Sequence, residues 1–267
     1  MSRYKSADLA NALAYALADC AGTVILHAGL HALGRPNDIQ PRDLPAWTVE
    51  SIMENLGTTG TLAVPTFNFD FCRGLPFDIA HTPSKGMGSV AEQVRTDCSA
   101  IRTPHPMQSL AAVGAQAESL RLGDPKCAYA QEGAFGQLLA LDATLLLIGV
   151  GFEAASIVHF AEYGQRVPYR FIKSFAGEYI DELGRRETRS YELHARHESA
   201  QPILQLSRLD DWLAENSRFR ITRVGHGLIR AVPARELVQS VDQHLEKDAL
   251  ALLANADSVK SSLRGAY

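Results

Sequence analysis

The 267-residue chain has little cysteine: Cys20, Cys72, Cys98 and Cys127 form no C-x-x-C pair and show no zinc-ligand spacing. That argues against a disulfide framework or a zinc-built fold and fits reduced, cytosolic thiols. The chain also lacks a strong excess of either charge. Its 26 Lys and Arg against 30 Asp and Glu leave a net charge of −4. A broad nucleic-acid footprint needs clustered basic residues, so none is expected. Long apolar runs are missing too. Ala143–Val150 is strand-sized and far too short to cross a bilayer. Arg3, Lys5 and Asp8 are not followed by the apolar segment of a secretory leader, and a cytoplasmic protein is expected. There is no internal repeat, low-complexity tract or obvious linker. What remains is 46% hydrophobic and 21% charged, enough for a sizeable core. One domain over residues 1–267 is expected, with a possible small subregion at 169–232.

Apolar periodicity supplies the elements. Ser6–Cys20 and Trp47–Leu56 have helical spacing, while Gly22–His27, Thr61–Pro65, Ser109–Ala115 and Thr144–Val150 read as buried strands. Ser89–Arg95 and Ala154–Tyr163 read as helices. Thr66–Pro83 is long for a loop, and its four phenylalanines argue against disorder. Beyond Tyr169 the texture changes. Tyr169–His194 alternates around a turn at Asp181–Arg185, and Phe219–Val232 alternates again, so both are expected to be hairpins. Leu204–Asn216 and Ala234–Leu253 complete the pattern as helices. Strand–helix alternation followed by hairpins predicts an α/β fold with a mixed central sheet flanked by helices and antiparallel hairpins in the C-terminal part.

Four segments carry candidate chemistry. His27–Gly34 (HAGLHALG) closes a buried strand with a small-residue turn. Exposed amides there can cradle a phosphate, or the segment is a tight turn whose histidine makes local hydrogen bonds. In Phe77–Arg95, Thr82 and Ser84 flank Pro83 and two glycines flank Met87 just before a helix. The hydroxyls and helix amides there can meet a carbonyl or phosphate; Glu92 is then either part of the site or a solvated helix carboxylate. His105 lies between two prolines in RTPHPMQS, as a rigidly placed ligand contact or as a turn residue. In GVGFEAASIVHFAEY, after the strongest strand, His159 and Glu162 share a helix face. An imidazole suits the role of general base toward an amine, and a core-edge histidine beside a carboxylate is the alternative. His27/His31 and His194/His197 have the spacing of metal pairs but no evident third ligand, so no metal is expected.

Taken in order, HAGLHALG, GTLAVPTF, the PFDIAHTPSKGMGSVAEQVR stretch, RTPHPMQSLAAVG, EGAFGQLL and LLLIGVGFEAASIVHFAEY resemble the aminoglycoside 3-N-acetyltransferase-like family, also called the antibiotic N-acetyltransferases. The resemblance covers roughly residues 20–170, with a weaker echo in Val224–Leu253. It implies acyl transfer from acetyl-coenzyme A or another acyl-coenzyme A to an amine. By position, Leu30, His31, Ala32, Leu33 and Gly34 would hold the coenzyme phosphates. Thr82, Ser84 and Ser109 would line the pantetheine and thioester region. His159 matches the family's proposed catalytic histidine, with Glu92 and Glu162 as acidic positions orienting it or the substrate. Asp78, His105, Glu132 and Glu162 fall on the acceptor side, and a hydroxyl or amide near Ser84 would meet the oxyanion. Transfer is expected to be direct, since neither Cys72 nor Cys98 has a recognisable histidine partner.

Two features depart from the aminoglycoside-modifying pattern: Lys85-Gly86 before Met87-Gly88, and Arg35-Pro36-Asn37-Asp38 in place of a Gly-Gly. Phe67–Asp78 (FNFDFCRGLPFD) resembles members that acylate nucleotide-linked amino sugars. With the slight acidity, this favours a nucleotide-linked amino sugar as acceptor. The alternatives are an aminoglycoside 3-N-acetyltransferase proper or a non-catalytic coenzyme A or sugar-nucleotide binder. Expected partners are the small-molecule amine and acyl-coenzyme A, with no nucleic acid, no membrane and a possible homo-oligomer.

Overall fold

The computed structural model describes residues 3–264. The chain opens with β1 (Arg3–Tyr4) and α1 (Ser6–Ala16), followed by β2 (Thr23–Ala28), β3 (Arg35–Pro36), α2 (Leu44–Leu56) and β4 (Thr61–Pro65). Asp8 starts α1 by accepting the Lys5 amide proton at 2.7 Å. Next come β5 (Phe77–Asp78), α3 (Ser89–Arg95), β6 (Ile101–Arg102), β7 (Leu110–Gly114), α4 (Ala117–Arg121), α5 (Ala134–Ala140), β8 (Thr144–Ile148) and α6 (Val158–Gly164). The remainder is β9 (Arg170–Ile180), β10 (Arg186–Arg196), α7 (Arg208–Trp212), β11 (Arg220–Val224), β12 (Gly227–Pro233), α8 (Ala234–Lys247) and α9 (Ala256–Arg264).

The central sheet has seven strands in the order β11-β12-β8-β2-β4-β7-β6. Strands β8, β2 and β4 run parallel, and antiparallel neighbours flank them on both sides. The three parallel strands are buried and mostly apolar because both of their faces are covered. Alternation along β2 assigns its side chains: Val24 and Leu26 join a core with α1, α2 and α3, whereas Ile25 points to the opposite core beneath α5, α6 and α8. The mixed sheet flanked by helices is therefore the fold that the strand–helix alternation predicts.

The long segment after β4 earns its length structurally. Its β5 pairs in parallel with β9, completing a second sheet of order β10-β9-β5. Phe71 and Phe77 from this segment bury against Tyr179 and Tyr191 of the hairpin in a small third core. Four expected helices are shorter than their periodicity predicts: α1 ends at Ala16, α6 begins only at Val158, and the other two lie in the C-terminal part. Before α7, Leu204 bridges Leu253 and the Gln205 amide bonds the Leu252 carbonyl at 2.8 Å, so tertiary pairing takes those residues out of the helix. At the end of α8, Asp248 turns extended and its carboxylate accepts the Leu250 amide at 3.0 Å. That local bond competes with helix continuation, and α9 starts afresh.

Candidate active site

The carboxyl ends of β2 and β8 lie side by side, where loops of a parallel sheet form binding crevices. After β2 the chain turns through a tight helical segment, Leu30–Leu33, while the Gly29 amide remains bonded to the Ile148 carbonyl at 2.8 Å. After β8, Gly149 adopts φ 66°, and a Cβ there would stand 2.5 Å from the Gly29 carbonyl oxygen. Only glycine lets the two loops approach this closely. Between them opens a cavity of about 520 Å³. Its wall includes His27, Gly29–His31, Phe67 after β4, Gly86–Gly88 ahead of α3 with Ser89 opening it, and Val150, Ser156 and His159. Loops from all three parallel strands therefore meet there.

His159 stands in the first turn of α6, its side chain 20% exposed to the cavity, and Glu162, one turn on, is completely buried. His159 Nδ1 lies 2.6 Å from Glu162 Oε2. The other carboxylate oxygen accepts the Tyr169 hydroxyl proton at 2.8 Å. Burial alone would raise the Glu162 pKa. His159, Arg170 and Tyr169 outweigh it and bring the carboxyl down to about 2. An ionised carboxylate can only accept, so Nδ1 carries the proton and Nε2 keeps its lone pair. Burial lowers the His159 pKa against the pull of Glu162, which keeps the ring a neutral imidazole. Also on the wall, His27 Nε2 lies 3.3 Å from the Ser156 hydroxyl, and burial holds its pKa near 3.

The other sequence-marked residues divide into those at the cavity and those behind it. Leu30 and His31 line it. Ala32, Leu33 and Gly34 do not: Leu33 is buried, and the carbonyls of Ala32 and Leu33 back onto the glycines of the β11–β12 turn. Thr82 accepts the Asp78 amide proton at 2.8 Å, and Asp78 itself caps the turn by binding the Ala80 and His81 amides. Ser84, expected at the thioester, instead donates its hydroxyl proton to Glu92 at 2.8 Å. Glu92 also holds the Arg95 guanidinium, and with that partner first its pKa falls to about 2. Ser84 and Glu92 thus brace the Gly86–Ser89 loop from outside the cavity.

Ser109 lies fully buried between Thr66 and Arg102, whose Nε donates to it at 3.0 Å. His105 is equally withdrawn. Its Nε2 faces the Lys126 and Glu192 carbonyls at 3.1 Å, its Nδ1 accepts the Gln108 amide proton, and burial lowers its pKa to about 4. Both ring nitrogens are spent on backbone, so His105 is a turn-holding residue rather than a ligand contact. Glu132 is exposed and outside the cavity. Sequence reasoning overlooked Ser156, Tyr169 and Arg170. Only the run Pro168-Tyr169-Arg170, directly after the motif helix, hinted at the last two.

A neutral imidazole fixed by a buried carboxylate beside a cavity is able to take a proton from a nucleophile. The chain belongs to the aminoglycoside 3-N-acetyltransferase family, whose model matches residues 25–246. It is accordingly an N-acyltransferase. It is 28% identical over 238 residues to aminoglycoside N(3)-acetyltransferase IV of Salmonella sp, covering 87% of this chain and 84% of that one. It is 27% identical over 203 residues to the SPbeta prophage-derived aminoglycoside N(3')-acetyltransferase-like protein YokD of Bacillus subtilis (strain 168), covering 68% and 73%.

Solved structures share the fold. Aminoglycoside acetyltransferase AAC(3)-IVa, as apoenzyme, superposes with a TM-score of 0.74 at 24% identity over 97% of this chain and 98% of that one. AAC-VIa bound to sisomicin gives 0.76 at 21% over 92% and 98%. AAC-IIIb, binary with CoASH, gives 0.75 at 20% over 92% and 97%. The family and the curated relatives favour the aminoglycoside alternative over a nucleotide-linked sugar. The stretch Phe67–Asp78, which pointed to the sugar, places Phe71 and Phe77 in the core beneath the hairpin. Among the described residues no helix is long and apolar enough to cross a membrane.

Proposed function

We propose that the chain transfers an acetyl group from acetyl-coenzyme A to an amine of an aminoglycoside, in the cytoplasm, the whole chain acting as one acyltransferase domain. The observation that carries this reading is His159: its Nδ1 is committed to a buried, ionised Glu162, and its ring lies on the wall of the cavity. Family membership supplies the reaction class, and relatives holding CoASH or sisomicin supply the two ligand types.

Coenzyme A enters past the Gly29–His31 turn and the Gly86–Ser89 loop, which both line the cavity. At neutral pH the acceptor amine is mostly an ammonium ion, and one proton leaves it to solvent. As the nitrogen adds to the thioester carbonyl carbon, a second proton passes to His159 Nε2. The carbon–sulfur bond then breaks, and the imidazolium returns that proton to the departing thiolate. The products are the acetamide and free coenzyme A thiol. Glu162 keeps the ring in the tautomer that can accept, and Ser156 replaces Ser84 as the hydroxyl beside the reacting atoms.

The test is thiol release from acetyl-coenzyme A in the presence of sisomicin and related aminoglycosides, against nucleotide-linked amino sugars. Saturable release with the aminoglycosides and a product heavier by one acetyl group are expected. A clear preference for the nucleotide-linked sugars would replace the acceptor, and no release with any amine would remove the reading.

A further inference from the structure

Arg170 belongs to none of the four segments read as carrying chemistry, yet it closes the charge cluster around His159. The chain leaves α6 through a tight turn, in which the Val167 amide bonds the Glu162 carbonyl at 3.2 Å and the Arg170 amide bonds the Val167 carbonyl at 3.3 Å. The turn folds the first residue of β9 back against the helix it has just left. The Arg170 side chain is 6% exposed. Its Nε forms an ion pair at 2.7 Å with Glu162 Oε2, the oxygen that accepts the His159 hydrogen bond, without hydrogen-bond alignment, and its Nη1 donates to the His194 carbonyl at 3.0 Å. Nη2 stands 3.2 Å from His159 Nδ1. Since Nδ1 carries a proton, that approach sets two positively polarised N–H groups side by side.

A carboxylate bonded to an imidazole normally stabilises the imidazolium and makes the ring a base already protonated near neutrality. Here the carboxylate is shared with a permanent cation. The Glu162–Arg170 pair is neutral overall, so it orients the ring while Arg170 offsets part of the pull of Glu162 on a proton, leaving burial to keep the ring neutral. Among the other groups facing His159, Arg196 on β10 also opposes a proton on the ring, but less than Arg170 does; His194 on β10 and His27 on β2 add no negative charge, and Tyr129 and Tyr169 stay protonated.

We propose that Arg170 is a positioning residue of the transfer reaction, holding Glu162 in place while preventing that carboxylate from trapping His159 as an imidazolium. The proposal rests on His159 being the base, and its test separates the two. In Arg170→Met the Glu162 charge is unopposed, so the His159 ring should bind its proton about tenfold more tightly. The acidic limb of the kcat/KM profile should move up in pH accordingly, with turnover recovering in alkaline buffer. Arg170→Lys should keep the wild-type limb. Glu162→Gln with Arg170→Met, which removes both charges and leaves no buried ion unpaired, should return the ring's proton affinity toward the wild-type value.

The ring titration is followed by NMR of the His159 imidazole in each folded variant, a readout independent of turnover. An unchanged His159 titration in Arg170→Met, or a loss of kcat equal at every pH, would make Arg170 a packing residue and overturn the inference. A shifted ring titration with an unmoved rate limb would instead overturn the role of His159 as base.

Discussion

Two carboxylates, Glu162 in α6 and Glu92 in α3, look alike in the sequence, and both are held ionised with pKa values near 2. Their surroundings separate them. Glu162 is fully buried and spends its oxygens on an imidazole at the cavity wall, a tyrosine hydroxyl and a buried arginine. The Glu92 side chain is 38% exposed and spends its oxygens on Ser84 and on Arg95, one turn away in its own helix. Depressed ionisation therefore does not mark a reactive site by itself. What distinguishes Glu162 is that one of its partners keeps a free lone pair beside a cavity.

Acid should expose the difference most strongly. His27 and His194 beside the Glu162 site, and His105 in its own turn, are buried neutral, with pKa values of about 3, 4 and 4. The unfolded chain takes up these protons near the ordinary histidine value, before the folded chain does. Their contribution is therefore intact above roughly pH 6.5 and is lost as pH falls toward about 4. At about pH 5 each should cost about 2 kcal/mol. The Glu92 brace has the opposite history. It is fully present above the ordinary glutamate range and disappears only as pH falls toward 2. Thermal melts should therefore drop steeply between neutrality and pH 5. In His105→Gln that drop should be shallower, and an equal drop would remove this account of the acid limb.

The next largest effect belongs to the bracing side. Arg102 is buried and forms no ion pair with a carboxylate among the described residues; it donates to the Thr66, Ile79 and Thr82 carbonyls and to Ser109, and lies over the Phe77 ring. Burial lowers its pKa to about 10, still charged at neutrality. Arg102→Met strands several buried acceptors, so urea unfolding should show a loss of roughly 3 kcal/mol or more. A smaller loss, about 1–3 kcal/mol, is expected for Gly88→Val. Gly88 has φ 86°, and a Cβ there would meet the Ala28 carbonyl oxygen at 2.9 Å. Because this loop borders the cavity, the variant should also weaken coenzyme A binding in calorimetry. Ser84→Ala should do least, about 1 kcal/mol, with kcat nearly unchanged. A large fall in kcat there would return Ser84 to the reacting centre.

How much of this was legible in the sequence follows from how local each signal is. Strand β8 and the His159–Glu162 spacing are local, and both are found where periodicity puts them, although the helix begins late because Phe152–Ala154 forms a separate turn. The Ser84, Ser109 and His105 side chains were identifiable as constrained, but nothing local says which way a constrained side chain points. Their partners Glu92, Arg102, Lys126 and Glu192 come from other elements. The β5–β9 pairing joins segments about a hundred residues apart in the chain, so nothing local shows that Phe71 and Phe77 of the aromatic loop pack in a core while Phe67 lines the cavity. Arg170 was hidden for the same reason. An arginine opening a strand reads as a solvated charge until the turn before it is known.

The most direct test of the account is the turnover of His159→Ala measured beside Glu92→Gln, with acetyl-coenzyme A and an aminoglycoside. A general base contributes about 10²–10⁴-fold, so His159→Ala should lose kcat by that factor while coenzyme A affinity, measured separately, stays close to wild type. Glu92→Gln should keep kcat within about threefold, since a brace is not on the path of the proton. Near wild-type turnover in His159→Ala, or an equal collapse in Glu92→Gln with the fold intact, would contradict the division between the reacting and the bracing carboxylate.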